Sequence, residues 1–159
     1  MIPDNKEGQP NIAGLESAQT LIDDSDPLAL LGSPDVLAGA AEDAFRYERL
    51  LESRTIHGLK FFPGHEPYYP NDERCLPFYA ACEAQRLPVV FHTGANPGDP
   101  DAARYNDPRY IVEVAEKYPS LRIVITHYFW PRLEYCYEIT RDTPNIYFEL
   151  AAIADDEVV

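Results

Sequence analysis

Two apolar runs in this chain each end in a histidine. His92 closes "PVVFH" and His127 closes "IVITH", 35 positions further on, and both runs then dissolve at once into turn-forming or aromatic residues. A neutral imidazole ligates divalent cations, and the same ring exchanges a proton near neutral pH. Two at equivalent strand ends therefore point to a metal, or to a metal with a general base. A single histidine at a strand end is more often a hydrogen-bonded structural residue, and it is the repetition that favours chemistry. Lys60, inside "GLKFFPG", is costly to desolvate unless paired or neutralised, so it is read either as a site residue or as a snorkelling, salt-bridged lysine. Glu149 in "NIYFEL" is a weaker candidate of the same kind. The loop "GHEPYYPND" carries His65, Glu66, Tyr68 and Tyr69, which either line a substrate pocket or simply pack. His57 falls on the opposite face of its strand and reads as structural. No Gly-rich phosphate loop or nucleophile elbow is present.

The elements that must position these groups alternate. From Leu28 the pattern predicts a short strand "LALLGS", a helix over about residues 40–53, and a strand "IHGLKFFP". A helix over about residues 71–86 follows, opened by the cap signal "NDER", with Leu76, Tyr79, Ala80 and Glu83 on one face. After the strand "PVVFH", a helix opens at Pro108 with Ile111, Val114, Ala115 and Tyr118 as its stripe and ends at Pro119. Then come the strand "LRIVITH", a helix with Leu133, Tyr137 and Thr140 on one face, and the strand "NIYFELAAI". Strands apolar on successive residues, separated by amphipathic helices, predict an α/β fold with a parallel sheet. Ligands gather beyond the carboxyl ends of such strands, where His92, His127, Lys60 and Glu149 are placed. Alternation puts Val90 with His92 on one face and Ile125 with His127 on another such face, with Lys60 sharing its side with Ile56 and Gly58.

Composition narrows the partners. Thirteen Lys plus Arg against 27 Asp plus Glu give a formal charge of -14, which repels nucleic acid and anionic membrane surfaces. Cys75, Cys82 and Cys136 are odd in number and lack C-x-x-C spacing, so they read as reduced core thiols. The start "MIPDNKEGQP" has neither a basic nor an apolar leader region, and a cytoplasmic location is expected. Residues 1–27 read as an irregular lead-in containing one short helix, and residues 28–159 as the domain.

The stretch "GLKFFPGHEPYYPNDERCLPFYAACEAQRLPVVFHTG", together with "DPRYIVEVAEKYPSLRIVITHYFWPRLEYCYEITRDTPNIYFELAAI", resembles the amidohydrolase-related metal-dependent hydrolases. The likeness is to the TIM-barrel branch that includes aminocarboxymuconate-semialdehyde decarboxylase, and it covers about Leu28 to Ile153. In that family an H-x-H pair on the first strand, a histidine on the fifth and an aspartate after the eighth hold a divalent metal. The resemblance implies that His92 is the fifth-strand ligand and that His127 is the sixth-strand histidine orienting water or substrate. It sets Lys60 near the fourth-strand position of a bridging lysine. The chain departs from the pattern: it contains no H-x-H, no "GSD-P" motif follows Ile153, and Phe129 stands where a glycine usually follows the sixth-strand histidine.

The fold implied is a partial TIM barrel, about strands three to seven, where a full barrel needs at least about 200 residues. The function implied is metal-dependent hydrolysis of a small organic substrate through metal-activated water. His127 is then catalytic, His92 a metal ligand, and Lys60, His65 and Tyr68 substrate-binding. Zinc is the expected ion, in a weak or incomplete site. A non-oxidative decarboxylase of the same family and a non-catalytic barrel fragment acting as a binding or partner subunit are the alternatives. Missing strands leave open edges, so a homo-oligomer or a complementing chain is expected.

Overall fold

The computed structural model describes residues 28–38, 41–95, 101–151 and 153. The lead-in expected over residues 1–27 lies outside them. Four strands, β1 (Leu59–Phe61), β2 (Val89–Phe91), β3 (Ile123–Thr126) and β4 (Ile146–Glu149), are hydrogen-bonded in chain order and all run parallel. The predicted first strand survives as an extended segment on the outer side of β1, tied there by a bridge from Gly32 to Leu59. Its backbone bonds form a ladder: His57 N–H donates to Leu30 O, Gly32 N–H to Gly58 O, and Lys60 N–H to Gly32 O.

Helices α1 (Ala41–Glu52), α2 (Leu76–Gln85), α3 (Pro108–Lys117) and α4 (Leu133–Thr140) fill the connections. Leu59, Phe61, Val89, Phe91, Ile123 and Ile125 are fully buried and belong to the core cluster they form with the helices. Phe61 meets Phe78 and Tyr79 of α2 edge to face, and Phe91 meets Tyr79 likewise. Each such side chain contributes about 1.5–3 kcal/mol by leaving water, so this face of the sheet is the core. Ile56 packs into the same cluster. Lys60 and Val90 stand on the inner face as expected, in register with Val124 across three strands, whereas Ile56 and Ile125, expected there too, lie in the core.

Helix boundaries follow local chemistry. Asp107 caps α3 by accepting from Arg109 N–H, with Pro108 in the first turn where its missing donor costs nothing. Asp72, one residue into the expected cap signal, does the same for a 3-10 turn, Glu73–Cys75, that leads into α2. Arg86, in the left-handed conformation, ends α2. The stripes shift where helices are covered on more than one side. In α2 the buried residues are Phe78, Tyr79, Ala81 and Cys82, while Ala80 is exposed. In α4 Cys136 and Thr140 are buried, whereas Tyr137, expected in the stripe, is exposed. The three cysteines are free and buried, and desolvation pushes the Cys75 and Cys136 thiols up to about 12.

Candidate functional site

Beyond the carboxyl ends of the strands, the inner face opens as a groove of about 610 Å³ lined by Lys60, Phe62, Val90, His92, Val124, Thr126, His127 and Glu149, with Leu31 and Ala151 at its margins. The sheet register explains the set. Thr126 pairs with Glu149, and the same ladder carried one residue past Phe61 and Phe91 aligns Phe62 and His92 with them. A lower row of Lys60, Val90 and Val124 thus underlies an upper row of Phe62, His92, Thr126 and Glu149.

His127 reaches the groove by a different route. Strand alternation already places Val124 and Thr126 inward, so a continued strand would turn His127 toward the helices. The strand stops instead. His127, Tyr128 and Phe129 have φ of 59°, 45° and 57°, a left-handed turn that costs about 1–2 kcal/mol per residue. Strain of this kind collects at functional sites, where surrounding contacts over-determine it. Here Phe129 is buried, Trp130 N–H donates to His127 O at 2.8 Å, and His127 N–H reaches Glu149 Oε2 at 3.4 Å. The His127 ring donates from Nδ1 to Ala151 O at 2.7 Å. A carbonyl only accepts, so this bond selects the tautomer in which Nε2 carries the lone pair.

The rings of His92 and His127 lie 5.3 Å apart, and His65 from the loop after β1 meets His92 edge on at 4.3 Å. Phe62 stacks on His92. Desolvation, followed by the charges of Lys60 and His127, lowers the His65 pKa and favours a neutral ring. Lys60 is 3% exposed. Its Nζ donates to Thr126 Oγ1 at 3.4 Å and sits 5.1 Å over the Phe62 ring. Burial lowers its pKa to about 8 against a weaker opposing pull from Glu149. Burial also lifts the Glu66 carboxyl to about 7, with the Asp35 charge adding to the effect.

His92, His127 and Lys60 are thus brought together on the groove, with His65 against His92 at its edge. Tyr68 is not part of the lining. It is 1% exposed and its phenol oxygen accepts from Phe62 N–H at 2.9 Å, which holds the backbone of a groove residue. Phe62 and Thr126 are groove residues that sequence reasoning passed over. Alternation from Lys60 points to Phe62, while Thr126 was hidden because parity was counted back from His127.

Polar staples hold the loops that carry these side chains. Asn106, fully buried, donates to Pro63 O and Gly94 O and accepts from Gly94 N–H, joining the segments after β1 and β2. Thr93 donates to Thr126 O at 2.6 Å, joining the ends of β2 and β3.

Among the described residues no three His, Cys, Asp or Glu side chains come together as a metal centre. His92 and His127 are suitable nitrogen donors in type and proximity and fit part of a divalent-ion shell. They do not complete one.

Comparison with known proteins places the chain. A solved structure similar to it is an uncharacterised TIM-barrel protein from Bordetella bronchiseptica, 27% identical with a TM-score of 0.68 over 87% of this chain and 48% of that one. The manganese-bound 5-carboxyvanillate decarboxylase from Novosphingobium aromaticivorans, 18% identical, shares the fold with a TM-score of 0.55 over 84% of this chain and 44% of that one. So does 4-oxalomesaconate hydratase from Rhodopseudomonas palustris, 15% identical with a TM-score of 0.56, over 92% and 50% of the two chains. This chain therefore spans about half the length of these structures, and its parallel sheet is part of a TIM barrel. No curated protein matches it. The family model described as Amidohydrolase matches residues 5–158. Matched over nearly its whole length, the chain belongs to the amidohydrolase family.

Proposed function

We propose that these residues form the floor and one wall of a site for metal-assisted hydrolysis of a small organic molecule bearing a carboxylate or amide group. The observation that carries the reading is the meeting of His92 and His127, rings 5.3 Å apart, in a groove floored by buried Lys60. A divalent ion, when bound, supplies Lewis acidity and activates water; zinc is the first expectation, and manganese is the ion of the similar decarboxylase. His92 is the donor that the end of β2 offers as a neutral imidazole. His127 does different work. With Nδ1–H committed to Ala151 O, its Nε2 accepts the proton of the attacking water and returns it to the leaving group. Lys60 anchors the anionic end of the substrate, and Leu31, Val90 and Val124 exclude water around it.

The lack of a three-donor cluster among the described residues favours a second reading, a binding or partner module that holds a ligand without turnover. A non-oxidative decarboxylase would use the same side chains and release carbon dioxide. Metal analysis after dialysis against a mild chelator, followed by zinc or manganese repletion and turnover assays on small amides, lactones and aromatic acids, separates these. The expected result is sub-stoichiometric retained metal that repletion raises. His92→Ala should weaken metal binding by about tenfold or more, and His127→Ala should cut turnover far more than occupancy. Unchanged metal binding in His92→Ala would sink the assignment, and metal binding without any turnover would favour the second reading.

A further inference from the structure

Glu149, the last residue of β4, uses both carboxylate oxygens on the chain around it. The sheet register sets it beside Thr126, so its side chain reaches forward to the residue that follows β3. Oε2 accepts from His127 N–H at 3.4 Å, and Oε1 accepts from Ala151 N–H at 2.5 Å. The carbonyl of that same Ala151 takes the proton of His127 Nδ1 at 2.7 Å. One carboxylate therefore acts on His127 twice, at its backbone directly and at its ring through Ala151. The direct distance from Nδ1 to Oε2 is 3.9 Å, too long for a hydrogen bond. Glu149 thus places the acceptor of the ring and is not itself that acceptor.

The turn explains why such a hold is needed. His127, Tyr128 and Phe129 are left-handed in succession and none is glycine, so the backbone leaves that region unless its surroundings keep it there. Burial of Phe129 and the bond from Trp130 N–H to His127 O fix the far end of the turn. The near end, where the chain leaves β3, is fixed by Glu149. A carboxylate suits the task because it only accepts, and its bonds to backbone N–H groups are about twice as strong as neutral ones. The same charge acts on Lys60, opposing the fall in its pKa that burial causes. Without the hold, an extended backbone at His127 would turn the ring toward the helices. We infer that Glu149 is the positioning residue for His127, latching the left-handed turn so that the ring faces the groove with its Nε2 lone pair free. The inference rests on the proposed function in giving that lone pair its proton-transfer work; the latch itself needs neither metal nor substrate.

The test is therefore made on chelator-treated protein, by nitrogen-resolved NMR of the neutral histidine rings and by amide hydrogen exchange. In the parent, His127 should carry its proton on Nδ1. In Glu149→Gln, which keeps the shape but loses the charge and one acceptor oxygen, that tautomer should cease to dominate. Exchange at the His127 and Ala151 amides should quicken by about tenfold or more, as expected when a hydrogen bond to a charged group is lost. Glu149→Ala, with no acceptor at all, should do at least as much. Unchanged protection of the β3 amides and a parent-like near-UV circular dichroism signal show that neither variant has misfolded. Lys60→Met, which removes the neighbouring positive charge, should leave the tautomer as it is in the parent. A proton that stays on Nδ1 in both Glu149 variants would overturn the inference. So would an equal shift in Lys60→Met, since that would assign the effect to the charge balance of the groove. A parent that binds metal but turns nothing over leaves the latch standing, and a failed latch leaves the metal assignment of His92 standing.

Discussion

Lys60 is the residue whose environment disagrees most with its chemistry. The alternative of a salt-bridged lysine is not met among the described residues, since its polar partner is the Thr126 hydroxyl. Its folded-state pKa, about 8, lies below the ordinary 10.5, so between those values the unfolded chain holds more protons than the folded one. Stability should therefore rise with pH across that window, as the folded state sheds a charge it accommodates poorly. The gap corresponds to about 3 kcal/mol as an upper figure. Lys60→Met should accordingly stabilise the protein at pH 7, by about 1–3 kcal/mol in urea unfolding. The parent should gain on the variant as pH rises toward 10; a parallel pH profile for the two proteins would show that Lys60 does not titrate in this range.

At the scale of elements, the site depends on how each strand ends. β2 runs past His92 and Thr93 into Gly94, whose φ of +93° suits glycine alone and whose added Cβ would stand 2.6 Å from Trp130 O. That carbonyl already accepts from Ala95 N–H, so the segment after β2 and the left-handed turn after β3 are locked together. Gly94→Ala should cost about 2 kcal/mol or more and should loosen the pairing of the His92 and His127 rings. Urea unfolding gives the first, and histidine ring NMR shifts that move at both residues give the second. An unchanged midpoint would mean the two turns are not coupled through this contact. The helix stripes teach a related lesson: Ile111, Val114 and Ala115 of α3 are buried as the periodicity predicts, whereas Tyr137 of α4 is exposed, because which side of a helix is covered depends on its neighbours.

At the scale of the molecule, the described sheet has helices over one face and a groove on the other. β4, the last strand of the described sheet, carries Tyr147, Phe148 and, just beyond, Leu150, which are 51%, 37% and 49% exposed. Unpaired edge groups beside exposed apolar side chains favour association. The 159-residue chain on its own is expected to self-associate at micromolar concentration, through symmetric pairing or onto a complementing segment. Light scattering coupled to size exclusion checks this, and a sharp monomer with a native-like near-UV signal from Trp130 and the tyrosines would contradict it. No helix among the described residues is long and apolar enough to cross a membrane.

The sequence by itself determined the class of fold, because apolar runs of strand length separated by 3.6-period stripes are compatible with little besides a parallel sheet under helices. It also identified the strand ends at which His92 and His127 stand, since those ends are written in residue type. Tertiary structure decided which way side chains face. Ile125 went to the core and Val124 to the groove because the sheet register set parity from the helix-covered side. His127 regained the groove only through a left-handed turn, whose non-glycine residues give no local sign of it; contacts from Glu149, Ala151 and Gly94, distant in sequence, hold it in place. Whether Lys60 was salt-bridged or left as a buried cation was likewise a matter of what stands across the sheet, a quantity set by long-range packing and not by neighbours along the chain.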